Sequence, residues 1–131
     1  MGYDAIIVGA RVAGASTAML LARRGYRVLL LDRDAYPHGS LSTQYLQPAG
    51  AAYLRRWGLL ARLEATGCPS ISEVQYDFGS FHFRAAPPPL DGVSAGYAPR
   101  RAALDKLLVD AAIEAGAEFR SNCEVDRLLH E

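Results

Sequence analysis

The chain has 131 residues, and its 14 Lys plus Arg balance 14 Asp plus Glu, so the formal net charge is zero; half of the residues are hydrophobic. A chain of this size and apolar content makes one globular domain that buries roughly two-thirds of its unfolded surface. The same figures exclude a disordered polymer, a basic nucleic-acid-binding face and a membrane-spanning helix, because no apolar run approaches the roughly 20 residues that one needs.

Residues 3–8 form a short apolar run ending at Gly9, as a buried parallel strand would. Residues 12–24 are rich in Ala and Leu and predict a helix. Arg23 and Arg24 fall in its last turn and Gly25 supplies a left-handed stop. Residues 27–31 make a second apolar strand closed by Asp32, which completes a βαβ unit. Residues 33–47 hold Pro37, Gly39 and several Ser and Thr and predict a loop. Helices follow over 48–57, with Pro in the first turn, and 59–66. Residues 73–84 alternate around Gly79 and Ser80 as a β-hairpin, with Val74, Tyr76 and Phe78 on one strand face and Phe81 and Phe83 on another. The hairpin aromatics are expected to face a substrate cavity or to pack a core. Leu104, Leu107, Leu108 and Ala111 recur at helical spacing and predict a helix over 101–115. Strands are predicted over 117–120 and 124–129. Tyr53, Leu54 and Trp57 are expected in the core.

Several residue types invite functional readings that the spacing does not support. Cys68 and Cys123 are far apart and show no CxxC or Cys/His pattern, so they read as two buried thiols and no metal site is expected. His38, His82 and His130 form no cluster and read as surface or structural residues. The N-terminus lacks the basic, apolar and cleavage-site order of a signal peptide, which points to the cytoplasm.

The stretch from Asp4 to Asp32 is the informative one. A dinucleotide-binding turn needs a Gly where the strand turns, close backbone approach to the pyrophosphate at a helix N-terminus, and a small residue where helix packs on strand. Gly9 supplies the first and Gly14 the third, and Ala18 keeps the next helical turn small. Asp32 ends the second strand, where a carboxylate accepts hydrogen bonds from ribose hydroxyls. The six residues are Gly9, Ala10, Arg11, Val12, Ala13 and Gly14, so Arg11 stands where the fingerprint has its second Gly. Either Arg11 turns its side chain aside and its guanidinium helps neutralise the phosphates, or the site is impaired. The first is the expectation, because every surrounding position agrees. A plain βαβ turn of another parallel sheet is the alternative that these neighbours disfavour.

Residues 9–33 resemble the FAD-binding start of flavin-dependent oxidoreductases, within the superfamily of aromatic-hydroxylase-type monooxygenases and geranylgeranyl-reductase-like enzymes. Residues 97–118, with Arg101 three before Leu104 and seven before Leu108, resemble that group's second cofactor-binding block. Residues 41–67 are similar to its loop beneath the flavin and the two helices after it. The resemblance implies an α/β, Rossmann-like FAD-binding domain: a parallel sheet with flanking helices and a small β-hairpin excursion, incomplete, spanning residues 1–131 as one domain at the start of a longer enzyme. It implies that residues 9–14 hold the pyrophosphate, that Asp32 binds the adenosine ribose and that Arg33 lies along the adenosine. Arg101 would contact phosphate or ribose, Ser42 and Thr43 would approach the flavin, and Val125 would offer its backbone to the adenine. Gln44 stands where related sequences often carry His, so no proton-transfer role is carried over, and no catalytic residue is identified. The cofactor implied is FAD, and in the complete enzyme NAD(P)H reduces it, O₂ adds to the reduced flavin and the hydroperoxide oxygenates a small organic substrate. An isoprenoid reductase, a non-catalytic nucleotide-binding module and an NAD-binding dehydrogenase domain are the alternatives, in that order.

Overall fold

The computed structural model describes residues 2–37 and 45–129. The chain divides into two compact units, one of Met1–Ser40 with Leu104–Glu131, the other of Leu41–Ala103.

The first unit is an α/β layer. Strand β1 (Ala5–Val8) leads into helix α1 (Val12–Ala22) and returns as β2 (Val28–Leu31). Helix α4 (Arg101–Glu114), from Leu104 onward, and strand β7 (Glu118–Arg120) complete it. The sheet order is β1-β2-β7 and both pairings are parallel, with Ile7 opposite Leu30 and Leu30 opposite Phe119. β2 is therefore central, and all four of its residues are buried, as its unbroken apolar run requires. Among the described residues β1 pairs with β2 alone, and it alternates instead, leaving Ile6 and Val8 exposed on one face.

Helix α1 turns Ala15, Ala18, Met19 and Ala22 inward, a stripe at i, i+3, i+4 and i+7. Its small side chains let the helix lie close on β1 and β2. It ends earlier than the composition suggests: Arg23 is the C-cap and Arg24 lies beyond it, before Gly25 reverses the chain at φ +86°. Across the start of the sheet, both oxygens of Asp4 take hydrogen bonds from the Arg27 side chain, and the Arg27 N–H adds a third at 2.8 Å. These bonds, the side-chain ones first, hold the Asp4 carboxyl down from 3.8 to about 2. On the other side, the Tyr36 hydroxyl donates to Asp110 and to the Lys106 carbonyl, and its ring meets Phe119 edge-on at 5.1 Å. Burial, then Asp110, pushes the Tyr36 hydroxyl pKa well up.

The strand predicted over 124–129 does not form. After β7 the chain turns at Asn122, φ +53°, and Cys123 donates its N–H to the Asp32 carbonyl at 2.9 Å. Beyond that, residues 124–129 find no backbone partner among the described residues, and Leu128 and Leu129 are almost fully exposed. Apolar character without a ladder does not make a strand.

The second unit contains α2 (Pro48–Arg56), α3 (Leu60–Glu64), the short antiparallel pair β3 (Ser70–Ile71) and β6 (Gly96–Tyr97), and the hairpin β4 (Val74–Asp77) and β5 (His82–Ala85). Tyr97 is buried and donates its hydroxyl to Glu64 at 2.6 Å, tying β6 to α3. The hairpin closes as the alternation predicts: Asp77 accepts the Gly79 N–H, and Gly79 takes φ +83°. Its aromatics are not a core. Tyr76 stacks on Phe83 with centroids 4.8 Å apart, Phe78 and Phe81 extend the stack, and all four rings are exposed. Of the three residues expected in the core at the end of α2, only Leu54 is buried, beside Ala51 and Ala52; Tyr53 is exposed, with the Arg56 guanidinium 5.2 Å from its ring, and Trp57 is half-buried. Cys68 and Cys123 are both free and partly exposed, a departure from the buried thiols expected. His82 is exposed, and His38 and His130 lie outside the described residues.

Candidate functional site

The turn between β1 and α1 is set by two glycines for different reasons. Gly9 adopts φ +99°, where a side chain is strained although space is available. Gly14 has an ordinary φ but no space: a Cβ there would stand 1.8 Å from the Gly9 carbonyl oxygen and 3.3 Å from Ile7 Cγ2. The first turn of α1 therefore lies directly against the end of β1. Arg11 is the N-cap, at φ −85° and ψ −171°, which is extended backbone open to any residue. Among the described residues no side chain caps the helix, and the first intrahelical bond is Ala15 N–H to the Arg11 carbonyl. The N–H groups of Val12, Ala13 and Gly14 are thus left for an external acceptor, with the helix dipole behind them.

Asp32 faces this turn from the end of β2. One carboxylate oxygen accepts the Ala10 N–H at 2.7 Å and the other the Asp34 N–H at 2.9 Å. Its backbone is held as firmly, with its N–H on the Arg120 carbonyl and its carbonyl on the Cys123 N–H. Each carboxylate oxygen still has a lone pair to offer a hydroxyl donor.

Arg11 resolves the departure from the fingerprint in an unforeseen way. Its guanidinium reaches Asp105 of α4 and Asp34 of the loop after β2, each at 3.2 Å. Asp105 is 5% exposed and Asp34 about one-third exposed. Partial desolvation pulls the Arg11 pKa down, but Asp105 and then Asp34 outweigh it, and the net displacement is upward. The guanidinium is held by carboxylates of the protein itself.

Gly9, Arg11, Asp32, Arg33 and Val125 line one open cleft of about 370 Å³, together with Val8, Asp34, Cys123 and Glu124. The predicted residues of the first unit therefore meet in one place, with Ala10, Val12, Ala13 and Gly14 in the same turn. Val125 arrives there from irregular chain and not from a strand. Arg101 is the first residue of α4 and belongs to the second unit. Ser42 and Thr43 lie outside the described residues. Asp34 and Asp105 were not anticipated. Asp105 had a legible signal: it shares a helical stripe with Leu108 and Ala112, both buried, and a carboxylate in an apolar stripe needs a partner.

Residues 2–131 match the family model described as FAD binding domain. Squalene epoxidase ERG1 of Candida albicans is 36% identical over 78 residues, which is 57% of this chain and 16% of that protein. Digeranylgeranylglycerophospholipid reductase 2 of Methanothermobacter thermautotrophicus is 34% identical over 120 residues, 90% of this chain and 29% of that one. Among solved structures, the myxobacterial chondrochloren halogenase CndH, a FAD-dependent halogenase, superposes with a TM-score of 0.87 at 27% identity, covering 98% of this chain and 30% of that chain. The chain thus spans less than a third of these relatives. The residues of the turn fit the cofactor named by the family: open helix N–H groups for a pyrophosphate, a contact at Gly14 too close for any side chain, and a carboxylate for ribose hydroxyls.

Proposed function

The chain belongs to the FAD-binding domain family, and from that premise we propose that it forms the cofactor-holding part of an NAD(P)H-dependent flavoprotein monooxygenase acting on a small organic substrate. The observation that carries the reading is the uncapped N-terminus of α1 facing a fixed Asp32 across one cleft. FAD, when bound, supplies the redox chemistry. The chain's own share is binding and placement. The N–H groups of Val12, Ala13 and Gly14 donate to the pyrophosphate, with Gly9 and Ala10 leading the chain into position. Asp32 accepts the adenosine ribose hydroxyls, Arg33 lies along the adenosine and the Val125 backbone meets the adenine edge. Arg101, Ser42 and Thr43 complete the set on the strength of the resemblance. The proposal takes residues 1–131 as one FAD-binding domain and places it in the cytoplasm; no helix among the described residues is long and apolar enough to cross a membrane.

A flavin-dependent isoprenoid reductase is the second reading, favoured by the extent of the match to the archaeal reductase. The ADP half of the site serves both chemistries equally.

Thermal unfolding with added FAD, ADP and NAD tests the binding claim. FAD and ADP are expected to stabilise the protein, by about 2.7 kcal/mol at a hundredfold excess over Kd, and NAD to do so more weakly. Stabilisation by NAD equal to that by FAD would favour a nicotinamide-binding domain instead.

A further inference from the structure

We propose that Asp34 and Asp105 are positioning residues for the pyrophosphate turn, acting through Arg11, so that an arginine can stand where the dinucleotide fingerprint places glycine. The inference rests on the cofactor reading above and concerns residues which that reading leaves without a role. The backbone of Arg11 is extended and does not itself require glycine. The difficulty of an arginine here is where its long side chain goes, because it leaves the chain at the N-cap of the helix that must receive an anion. Two carboxylates settle this. Asp105 takes Nη1 and Asp34 takes Nη2, each at 3.2 Å, so the planar guanidinium is gripped at two corners from two different elements. Asp105 is nearly buried and Asp34 is not, so the grip has one inner and one outer arm.

The same grip fixes the turn. Asp34 also gives its N–H to Asp32, and Asp32 accepts the Ala10 N–H, so a continuous chain of contacts runs from Arg11 through Asp34 and Asp32 back to Ala10. A lysine in place of Arg11 is a point charge without the fork that bridges two carboxylates. Loosening either arm weakens the hold on the guanidinium and loosens the turn that aims the N–H groups of α1.

This arrangement predicts an effect opposite in sign to simple electrostatics. Removing a carboxylate near a phosphate site reduces repulsion and, by Coulomb's law alone, strengthens anion binding. Release of the guanidinium onto the phosphates would act in the same direction. Positioning predicts weakening. The experiment is calorimetric titration of wild type, D34N, D105N, R11K and R11K/D105N with ADP and, separately, with adenosine. Expected are a loss of about tenfold in ADP affinity for D105N and for R11K, a smaller loss for D34N, and a double variant no weaker than the worse single. Adenosine affinity should change little, because it lacks the phosphates; a merely structural lesion would lower both. Should D105N fail to fold, D34N, whose carboxylate is more exposed, decides the matter. ADP binding by D34N or D105N as tight as wild type, or tighter, would overturn the clamp while leaving the cofactor reading intact. A folded wild type that binds no ADP would overturn both.

Discussion

Replacing Gly14 by alanine is expected to destabilise the protein by on the order of 3 kcal/mol and to lower ADP and FAD affinity by about a hundredfold. The added Cβ would sit 1.8 Å from the Gly9 carbonyl oxygen and 3.0 Å from its carbon, both backbone atoms at the end of β1. Neither is the tip of a flexible side chain that can swing away. Relief requires α1 to lift off the sheet, and Ala15, Ala18, Met19 and Ala22 hold it down by a face with almost no exposed area. This face is packed directly on β1 and β2, with Ile7 already against Gly14, so there is no slack to absorb a displacement. A lifted helix also moves the N–H groups of Val12 and Ala13, which are the proposed pyrophosphate donors. Urea unfolding and ADP titration of the same sample read both effects. If Gly14→Ala kept wild-type stability and affinity, the close packing of α1 on β1 described above would be wrong.

The second large effect is expected at Asp32. Its two oxygens hold the Ala10 and Asp34 N–H groups, so Asp32→Ala removes two charge-assisted hydrogen bonds and the ribose acceptor together. A stability loss of about 2 kcal/mol follows from the hydrogen bonds. ADP affinity is expected to fall about thirtyfold, because the turn loses its anchor and the ribose its partner. Asp32→Asn separates these contributions. An amide has one acceptor oxygen and one donor nitrogen, so it can satisfy the N–H of Ala10 or of Asp34 but faces the other with a donor. It should therefore rank between wild type and the alanine variant in stability. An alanine variant with unchanged ADP affinity would remove Asp32 from the proposed site.

These expectations depend on features that were unequally visible in the residues themselves. The βαβ unit was legible because its signals are local. The apolar run of β2, the small face of α1 and the stop at Gly25 each lie within a few residues of the structure they determine, and the α/β class with its parallel sheet follows from them. Asp32 was legible because a carboxylate closing the second strand has a position fixed by the first strand's neighbour. The partners of Arg11 were not, since Asp105 lies 94 positions away and only the folded chain brings α4 beside the turn. Sequence reasoning placed the guanidinium on the phosphates; the structure gives it to Asp34 and Asp105. Residues 124–129 misled for a related reason: Val125, Leu128 and Leu129 carry strand-like apolar character, but a strand exists only where a neighbour offers its backbone. The hairpin was read correctly as a hairpin, while the exposure of Phe78, Phe81 and Phe83 depends on what packs against it, which pattern alone does not encode.

The central claim is that the first turn of α1, with Asp32, is where the adenosine diphosphate half of FAD binds. The most direct test is amide chemical-shift mapping of the ¹⁵N-labelled chain during titration with ADP. The account predicts that the largest shifts fall on the amides of Gly9 to Gly14, on Asp32 to Asp34 and on Cys123 to Val125, with the hairpin of β4 and β5 little changed. Saturable shifts centred on the hairpin or on α2, with residues 9–14 unmoved, would contradict it.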